Sequence, residues 1–491
     1  MNSKTRLVHL LRQSLVTAGV SLSMAEHSMV LGFTAILLPQ LRQDPSMKTN
    51  IYIESWIASI NALSFFPGVM MCPFIMRRYG RRKANLVSAV FMIIGWTCIS
   101  LASDVNVILI SKILQGAAVG LSSMSATILI GEYTSPKYRG SFLSIMMFSI
   151  LLGSLMVHMI GSFLVWNRTA LFCLAVAILD ATIVSLSPET PVFLAKHGRY
   201  DECRKVFRWL HGPDEEDELN AMIKAAVSKK AKSDANNENG NEKNKGLLYV
   251  IDYFKRSDFY KPLILMLHLD VIELWCGYTT IETYAIDILH KILGHDINVS
   301  KNVIVLDTLK ILSSVCAIHI HTKLKRCAAL KLFVGMNILT YASIAGYSYL
   351  REEHIFENIV VGSTLTYLFV FSFCAGTMPL MCTISSEIFP LEYKEISTMI
   401  TTLFASLNIT LKMQTFPYLV NVIGIHGAFS IYALILTYAL IVASIMLPET
   451  KDKTLQNIEE EYWTKPYEMT VVSQNDELTP MQVTELSQAP A

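Results

Sequence analysis

The sequence predicts an all-α membrane protein of twelve transmembrane helices in two six-helix repeats, with a cytoplasmic helical linker between them. Three observations carry this reading. The 491 residues are 52% hydrophobic and only 16% charged, and the mean hydropathy is +0.41, too apolar for a soluble multi-domain chain. Long apolar runs lie on both sides of a single polar stretch, Pro188 to Lys261. Three phrases recur in the same order in both halves, as in a parallel repeat of two membrane bundles. Pro188-Glu189-Thr190 returns as Pro448-Glu449-Thr450, and GEYTSPKYR ending at Arg139 answers to SEIFPLEYK ending at Lys394. RRYGRRK at 77–83 answers more weakly to KLKR at 323–326.

A spanning helix needs about 20 apolar residues. By that rule the spans are 13–38, 54–76, 84–103, 106–131, 141–163, 169–188, 262–289, 302–321, 328–350, 359–386, 396–421 and 427–447. This divides the chain into a first bundle (1–190), a linker (191–261), a second bundle (262–450) and a tail (451–491). Loop charges set the orientation. Arg77, Arg78, Arg81, Arg82 and Lys83 follow the second span, Lys137 and Arg139 the fourth, Lys323, Lys325 and Arg326 the eighth, and Lys394 the tenth. The alternate loops hold few cations, so both termini and the linker are expected in the cytoplasm.

Within the linker, Cys203, Val206, Phe207 and Leu210 share one helical face, and Glu215 to Val227 repeats the pattern. Short amphipathic helices packed on the bundle ends explain this, with a loosely membrane-bound segment as the alternative. From Ser233 to Gly240 the composition is that of a disordered segment, and the tail after Trp463 is similar.

The 41 basic and 40 acidic residues leave a net charge of +1, which points away from nucleic acid as a partner. Nine cysteines show no CxxC or metal-ligand spacing, and no metal or cofactor is expected. The first apolar run lacks a small-residue cleavage site and reads as a retained helix, while Met1-Asn2 excludes N-myristoylation. With no nucleophile–base constellation or nucleotide loop, an enzyme is not expected. Asn167 and Asn298 begin glycosylation sequons near span ends.

The phrases RRYGRRK at 77–83, GEYTSPKYRG at 131–140, PETPVFLAKHGRYDECRKVFRWL at 188–210, SEIFPLEYK at 386–394, TFPYLVNVIGIHGAF at 415–429 and LPETKDKTLQNIEEEY at 447–462 stand in order along the chain. Together they resemble the sugar porter family of the major facilitator superfamily, and within it the insect facilitative trehalose and glucose transporters. The resemblance implies a cytoplasmic latch that pairs in the outward-open state, made here of Arg78, Gly80, Arg81, Glu132, Arg139, Glu387 and Lys394. The bland alternative is charge that only fixes orientation. Pro73 and Arg77 stand where the family usually has Gly and Asp.

The resemblance also places the sugar contacts at Met147, Glu273, Leu274, Thr279 and Leu380. Most of the family's amide ligands, and its tryptophan, are therefore replaced. Sugars need hydrogen-bonding groups and an aromatic face within an apolar cavity. In place of the amides are ionisable residues at membrane depth: Glu26, His27, Asp180, His268, Asp270, Glu273, Glu282, Asp307, Lys310 and Lys412. Each costs on the order of 3 kcal/mol unless it faces a cavity or a partner. Asp307 and Lys310, three apart on one face, read equally as a structural pair or a functional one. Glu273 reads as a cavity residue or as the partner of a buried lysine.

The expected function is passive transport, across the plasma membrane, of a hexose, trehalose or related polyhydroxyl solute. A non-sugar solute such as an organic cation or carboxylate is one alternative, and a non-transporting nutrient sensor is another.

Overall fold

Backbone inside hydrocarbon has no water to bond, so an apolar run must close its own hydrogen bonds, as a helix does. The computed structural model describes residues 3–45, 47, 49–212, 215–238, 257–294, 298–388 and 394–451, and among them there is no strand. The first bundle holds α1 (Ser3–Gln43), α2 (Ile51–Arg78), α3 (Arg81–Ser100), α4 (Val105–Tyr133), α5 (Pro136–Gly161) and α6 (Trp166–Leu186). The linker carries α7 (Pro191–Lys196), α8 (Tyr200–His211) and α9 (Glu216–Glu238). The second bundle holds α10 (Ser257–Trp275), α11 (Tyr278–Leu293), α12 (Val299–Lys323), α13 (Arg326–Glu352) and α14 (Ile359–Ser372). A π-helical turn at Phe373–Thr377, α15 (Met378–Ile388) and α16 (Lys394–Met446) complete it.

Ten of the described helical stretches are long and apolar enough to cross a membrane. One of them, α16, has 53 residues and breaks at Gly424 (φ 70°), so it crosses twice. The 25-residue α12, whose charges dilute its apolarity, is the twelfth crossing.

Two expected spans hold as single crossings but with an internal irregularity, and one expectation about the linker is corrected. The expected span 262–289 is broken at Cys276-Gly277 into α10 and α11. Gly277 (φ 108°) sits where an added Cβ would lie 2.2 Å from Phe369 Cζ, so only glycine fits both the backbone and the space. The expected span 359–386 is interrupted by the π turn, and His321 Nε2 lies 3.1 Å from the Ala375 carbonyl there. In the linker, helix continues to Glu238 across the start of the segment expected to be disordered, because Ala225, Ala226, Ala231 and Ala235 favour helix and no Gly or Pro intervenes. The rest of that segment, and the tail from residue 452, lie outside the described residues.

The linker packs as its pattern requires. α8 buries Cys203, Phe207 and Leu210 and rests on α7, α9 and the start of α1. Arg12 Nη1 donates to the Trp209 carbonyl at 3.1 Å, and Gln13 Nε2 to the Leu210 carbonyl at 3.2 Å.

The repeated phrases take the same geometry in each half. Glu189 Oε1 accepts the backbone N–H of Arg81 (3.0 Å) and Arg82 (3.1 Å) at the start of α3. Glu449 accepts those of Arg326 (2.9 Å) and Cys327 (3.3 Å) at the start of α13. Arg81 and Arg326 each turn an Nη1 back to a carbonyl five residues earlier, of Met76 and His321 respectively. The Pro-Glu-Thr phrase is thus a remote helix cap: its carboxylate meets the unpaired N–H groups of a helix start.

Candidate functional site

The halves meet along three helix pairs, α1 with α11, α5 with α12, and α2 with α16. On the side toward the linker, they enclose a cavity of about 610 Å³. Its polar lining includes His27, Ser28, Tyr278 and His321, and its apolar wall includes Met147 and Phe148. A second recess of about 810 Å³ opens on the opposite face, between Arg42, Glu54, Asp287 and Phe416.

Between the two lies a charged cluster contributed by both halves. Lys310 Nζ on α12 donates to Glu282 Oε2 at 2.6 Å and to Asp307 Oδ1 at 2.8 Å. His158 on α5 places Nδ1 2.6 Å from Asp307 Oδ2 and Nε2 3.1 Å from the Gly32 carbonyl of α1. Ser154 donates to Glu282 Oε1, and Ser28 reaches the same oxygen at 3.3 Å. His158, Glu282, Asp307 and Lys310 are all 2% exposed or less. A buried ion can stay charged only when paired and hydrogen-bonded, and each of the four is.

The face opposite the linker is bridged by Arg42 at the end of α1. It binds Glu54 at the start of α2 (2.6 Å) and Asp287 on α11 (2.7 Å). Deeper in the first half, Lys112 donates to the Val30 carbonyl (2.9 Å) and to Thr34 (2.8 Å).

The residues singled out from the sequence are placed as follows. Met147 lines the cavity, with 50% of its surface open. Leu380 is fully buried. The Leu274 carbonyl and the Thr279 hydroxyl both accept from Lys412 Nζ, which closes the C-terminal end of α10. Glu273 is partly buried beside this break and makes no ion pair among the described residues. Lys310 and Lys412 are both engaged elsewhere, so neither is its partner.

Asp270 is partly buried on α10, also with no described ion pair. In the first half, Asp180 accepts from Ser23 at 2.8 Å, and Glu26 is buried nearby. His268 bonds its own helix at the Ile264 carbonyl.

Among the latch residues, Glu132 pairs with Arg81 at 3.2 Å, and Arg139 makes no ion pair among the described residues. Arg78 is exposed over the Tyr79 ring, and Gly80 (φ 107°) precedes α3. The side chains of Glu387 and Lys394 lie outside the described residues.

Sequence reasoning passed over His158, Ser154, Lys112, Arg42, Glu54 and Asp287. For two of them a signal existed. Met147, Leu151, Ser154 and His158 recur at steps of four, three and four, one face of a helix, so the face chosen at Met147 leads to both Ser154 and His158.

Comparison with known proteins agrees with this architecture. Residues 27–462 match the family model described as Sugar (and other) transporter. The chain is 26% identical over 454 residues to the facilitated trehalose transporter Tret1 of Aedes aegypti, covering 90% of this chain and 54% of that protein. It therefore spans about half the length of that relative. The Tret1 of Apis mellifera ligustica is 26% identical over 456 residues, covering 91% of this chain and 87% of the relative. The inward-open structure of the xylose transporter XylE from E. coli superposes with a TM-score of 0.72 at 17% identity, covering 92% of this chain and 100% of that one. A peptide transporter of the POT family superposes with a TM-score of 0.61 at 10% identity, so the likeness is one of fold.

Proposed function

The chain belongs to the Sugar (and other) transporter family, and we propose from that premise that it is a facilitative carrier of a sugar or related polyhydroxyl solute. The observation that carries this reading is the cavity between the halves. Its hydrogen-bonding groups, His27, Ser28, Tyr278 and His321, stand among apolar side chains and the aromatic faces of Phe148 and Tyr278. Polar groups of this kind match hydroxyls, and aromatic faces match the apolar side of a sugar ring. The trehalose transport named for the insect relatives supports the same solute class.

Transport then proceeds by rocking one half against the other around this cavity. The Arg42 bridge closes the face opposite the linker while the cavity lies toward the linker. We place the chain in the plasma membrane; on the positive-inside reading the linker face is cytoplasmic, and this conformation is closed to the outside. Met147 is then a sugar-contact position at which a thioether replaces an amide. Glu273 stands at another beside the α10–α11 break.

Reconstitution of the purified chain in liposomes tests the proposal. Labelled glucose and trehalose should equilibrate down their gradients, saturably, with no imposed ion gradient. A folded protein that moves no sugar would overturn the reading, in favour of a sensor if nothing is moved, or of another solute class if an organic cation or carboxylate is.

A further inference from the structure

The central cluster is charge-balanced only with one proton beyond those of its lysine and a neutral imidazole. The two ring nitrogens of His158 each face an acceptor, the Gly32 carbonyl at 3.1 Å and Asp307 Oδ2 at 2.6 Å. A carbonyl only accepts, so Nε2 must carry hydrogen. A contact of 2.6 Å between Nδ1 and a carboxylate oxygen also needs a hydrogen between them, whether it is assigned to the ring or to the carboxyl. The His158–Asp307 pair therefore holds two protons, one more than a neutral imidazole beside an ionised carboxylate.

We propose that this pair is a proton-binding site, filled in this conformation, and that its proton holds the two halves together. Gly32 and His158 belong to the first half, and Asp307 to the second. When the proton leaves, the imidazole keeps one N–H and must turn a lone pair toward either Gly32 or Asp307. Either choice sets acceptor against acceptor and breaks a bond. With the proton present, His158 and Lys310 balance Asp307 and Glu282. Without it, the cluster carries an uncompensated negative charge out of contact with water. The fit leaves little slack, because a Cβ on Gly32 would lie 3.0 Å from His158 Nε2 and 3.2 Å from Glu282 Oε1.

The other ionisable groups on the elements around α5 are committed or set apart. Lys112 on α4 bonds Val30 and Thr34, and Asp180 on α6 bonds Ser23. Glu26 and His27 lie on α1, His27 lining the cavity, and Tyr278 of α11 lines it too. Among the described titratable side chains, Asp307 is the one within hydrogen-bonding distance of the ring. The ligand class is thus a proton, and the state it favours is the one closed opposite the linker. This goes beyond the sugar proposal and does not depend on which solute is carried.

The test uses the full chain in lipid nanodiscs with no solute. A single cysteine replaces Met147 in the cavity or, separately, Ile425, which lines the opposite recess and is 1% exposed, on a background with the native cysteines changed to serine. Maleimide labelling is followed from pH 6 to pH 9, each rate divided by that of an exposed single-cysteine control at the same pH, so that the rise of thiolate with pH cancels. The expected result is opposite trends: normalised labelling at 425 rises at least tenfold toward high pH while that at 147 falls. His158→Gln should flatten both profiles. Flat profiles in the protein with His158 intact, which require no variant to fold at that position, would overturn the proposal. So would an unchanged pH response in a folded His158→Gln protein, which would place the proton elsewhere. A failure of sugar uptake would leave this result standing, because the readout is conformational.

Discussion

Arg42 and Asp287 join the ends of two helices that belong to different halves. The guanidinium gives Nη1 to Asp287 Oδ1 at 2.7 Å and Nη2 to Oδ2 at 3.0 Å, while Nε and Nη2 also reach Glu54. Glu54 lies in the same half as Arg42, so Asp287 supplies the part of this bridge that must break when the halves separate. Asp287→Asn removes that charge and leaves the Arg42–Glu54 pair. An ion pair this open to water contributes about 0.5–1 kcal/mol. The open-to-closed ratio at that face should therefore rise roughly two- to fivefold. Labelling of a cysteine at position 425, buried in that recess, measures it in the Asp287→Asn background, and an unchanged rate would remove the bridge from the closing contacts.

Lys310 stands between two carboxylates, and its loss strands them. Lys310→Met leaves Glu282 and Asp307 buried with only His158 as a counter-charge. Breaking a buried pair in this way costs about 3–5 kcal/mol. Folded yield in detergent should fall sharply. The added change Glu282→Gln should recover much of it, since one acid then remains against one imidazolium. Size-exclusion profiles of the single and double variants distinguish this from simple loss of packing, which the second change would not repair.

Glu189 and Glu449 cap equivalent helices, so their replacement should act alike and independently. Each removal to alanine strands two N–H groups at the helix start and one more close to the glutamate itself, that of Thr190 or Lys451, and should cost about 1 kcal/mol. The two caps share no partner among the described residues, so the double variant should lose close to the sum. Glu449 adds a pH signature. Burial pushes its carboxyl up, but the N–H groups of Arg326, Lys451 and Cys327 outweigh burial and leave it lowered. A carboxyl lowered on folding contributes stability that is fully present above its unfolded value and is lost as pH falls through the folded one. The thermal midpoint should therefore drop on acidification below about pH 4.5, and Glu449→Gln should lose that share of the drop.

Glu273 makes no described ion pair, so Glu273→Gln strands no lysine. Its folded yield should match the parent within about 0.5 kcal/mol of stability. If Glu273 contacts the solute, the restored amide, which both donates and accepts, should tighten glucose binding. Competition for labelled solute measures the second effect and thermal unfolding the first. A large loss of stability would mean a buried partner after all.

The twelve crossings and the linker face of α8 were legible because each rests on a local pattern. Apolar length marks a span, and Cys203, Phe207 and Leu210 at helical spacing mark a buried stripe. The break at Cys276-Gly277 was hidden because the run from Leu263 to Ile288 stays largely apolar across it, and only the Phe369 and Tyr341 rings pressed against Gly277 reveal why a glycine is there.

The site was legible where its members share a helix. Asp307 and Lys310 could be paired by counting. Glu282 and His158, which complete the cluster from two other helices, could not, because their meeting depends on how the halves dock. The same limit explains Glu132. Its own phrase also holds Arg139, but the fold brings Arg81 beside it from the start of α3.

One consequence follows from the length of α1. This helix has 41 residues, roughly 60 Å at 1.5 Å per residue. It touches α8 through Arg12 and Gln13, meets His158 and Glu282 near its middle through Gly32 and Ser28, and ends at Arg42. A single rod is thus gripped at three heights. A tilt imposed at one grip must appear, as torque or displacement, at the other two. Anything that pulled on α8 from outside the bilayer, such as a bound protein or a charged modification of the linker, would act on the far bridge mechanically, through α1, without entering the cavity.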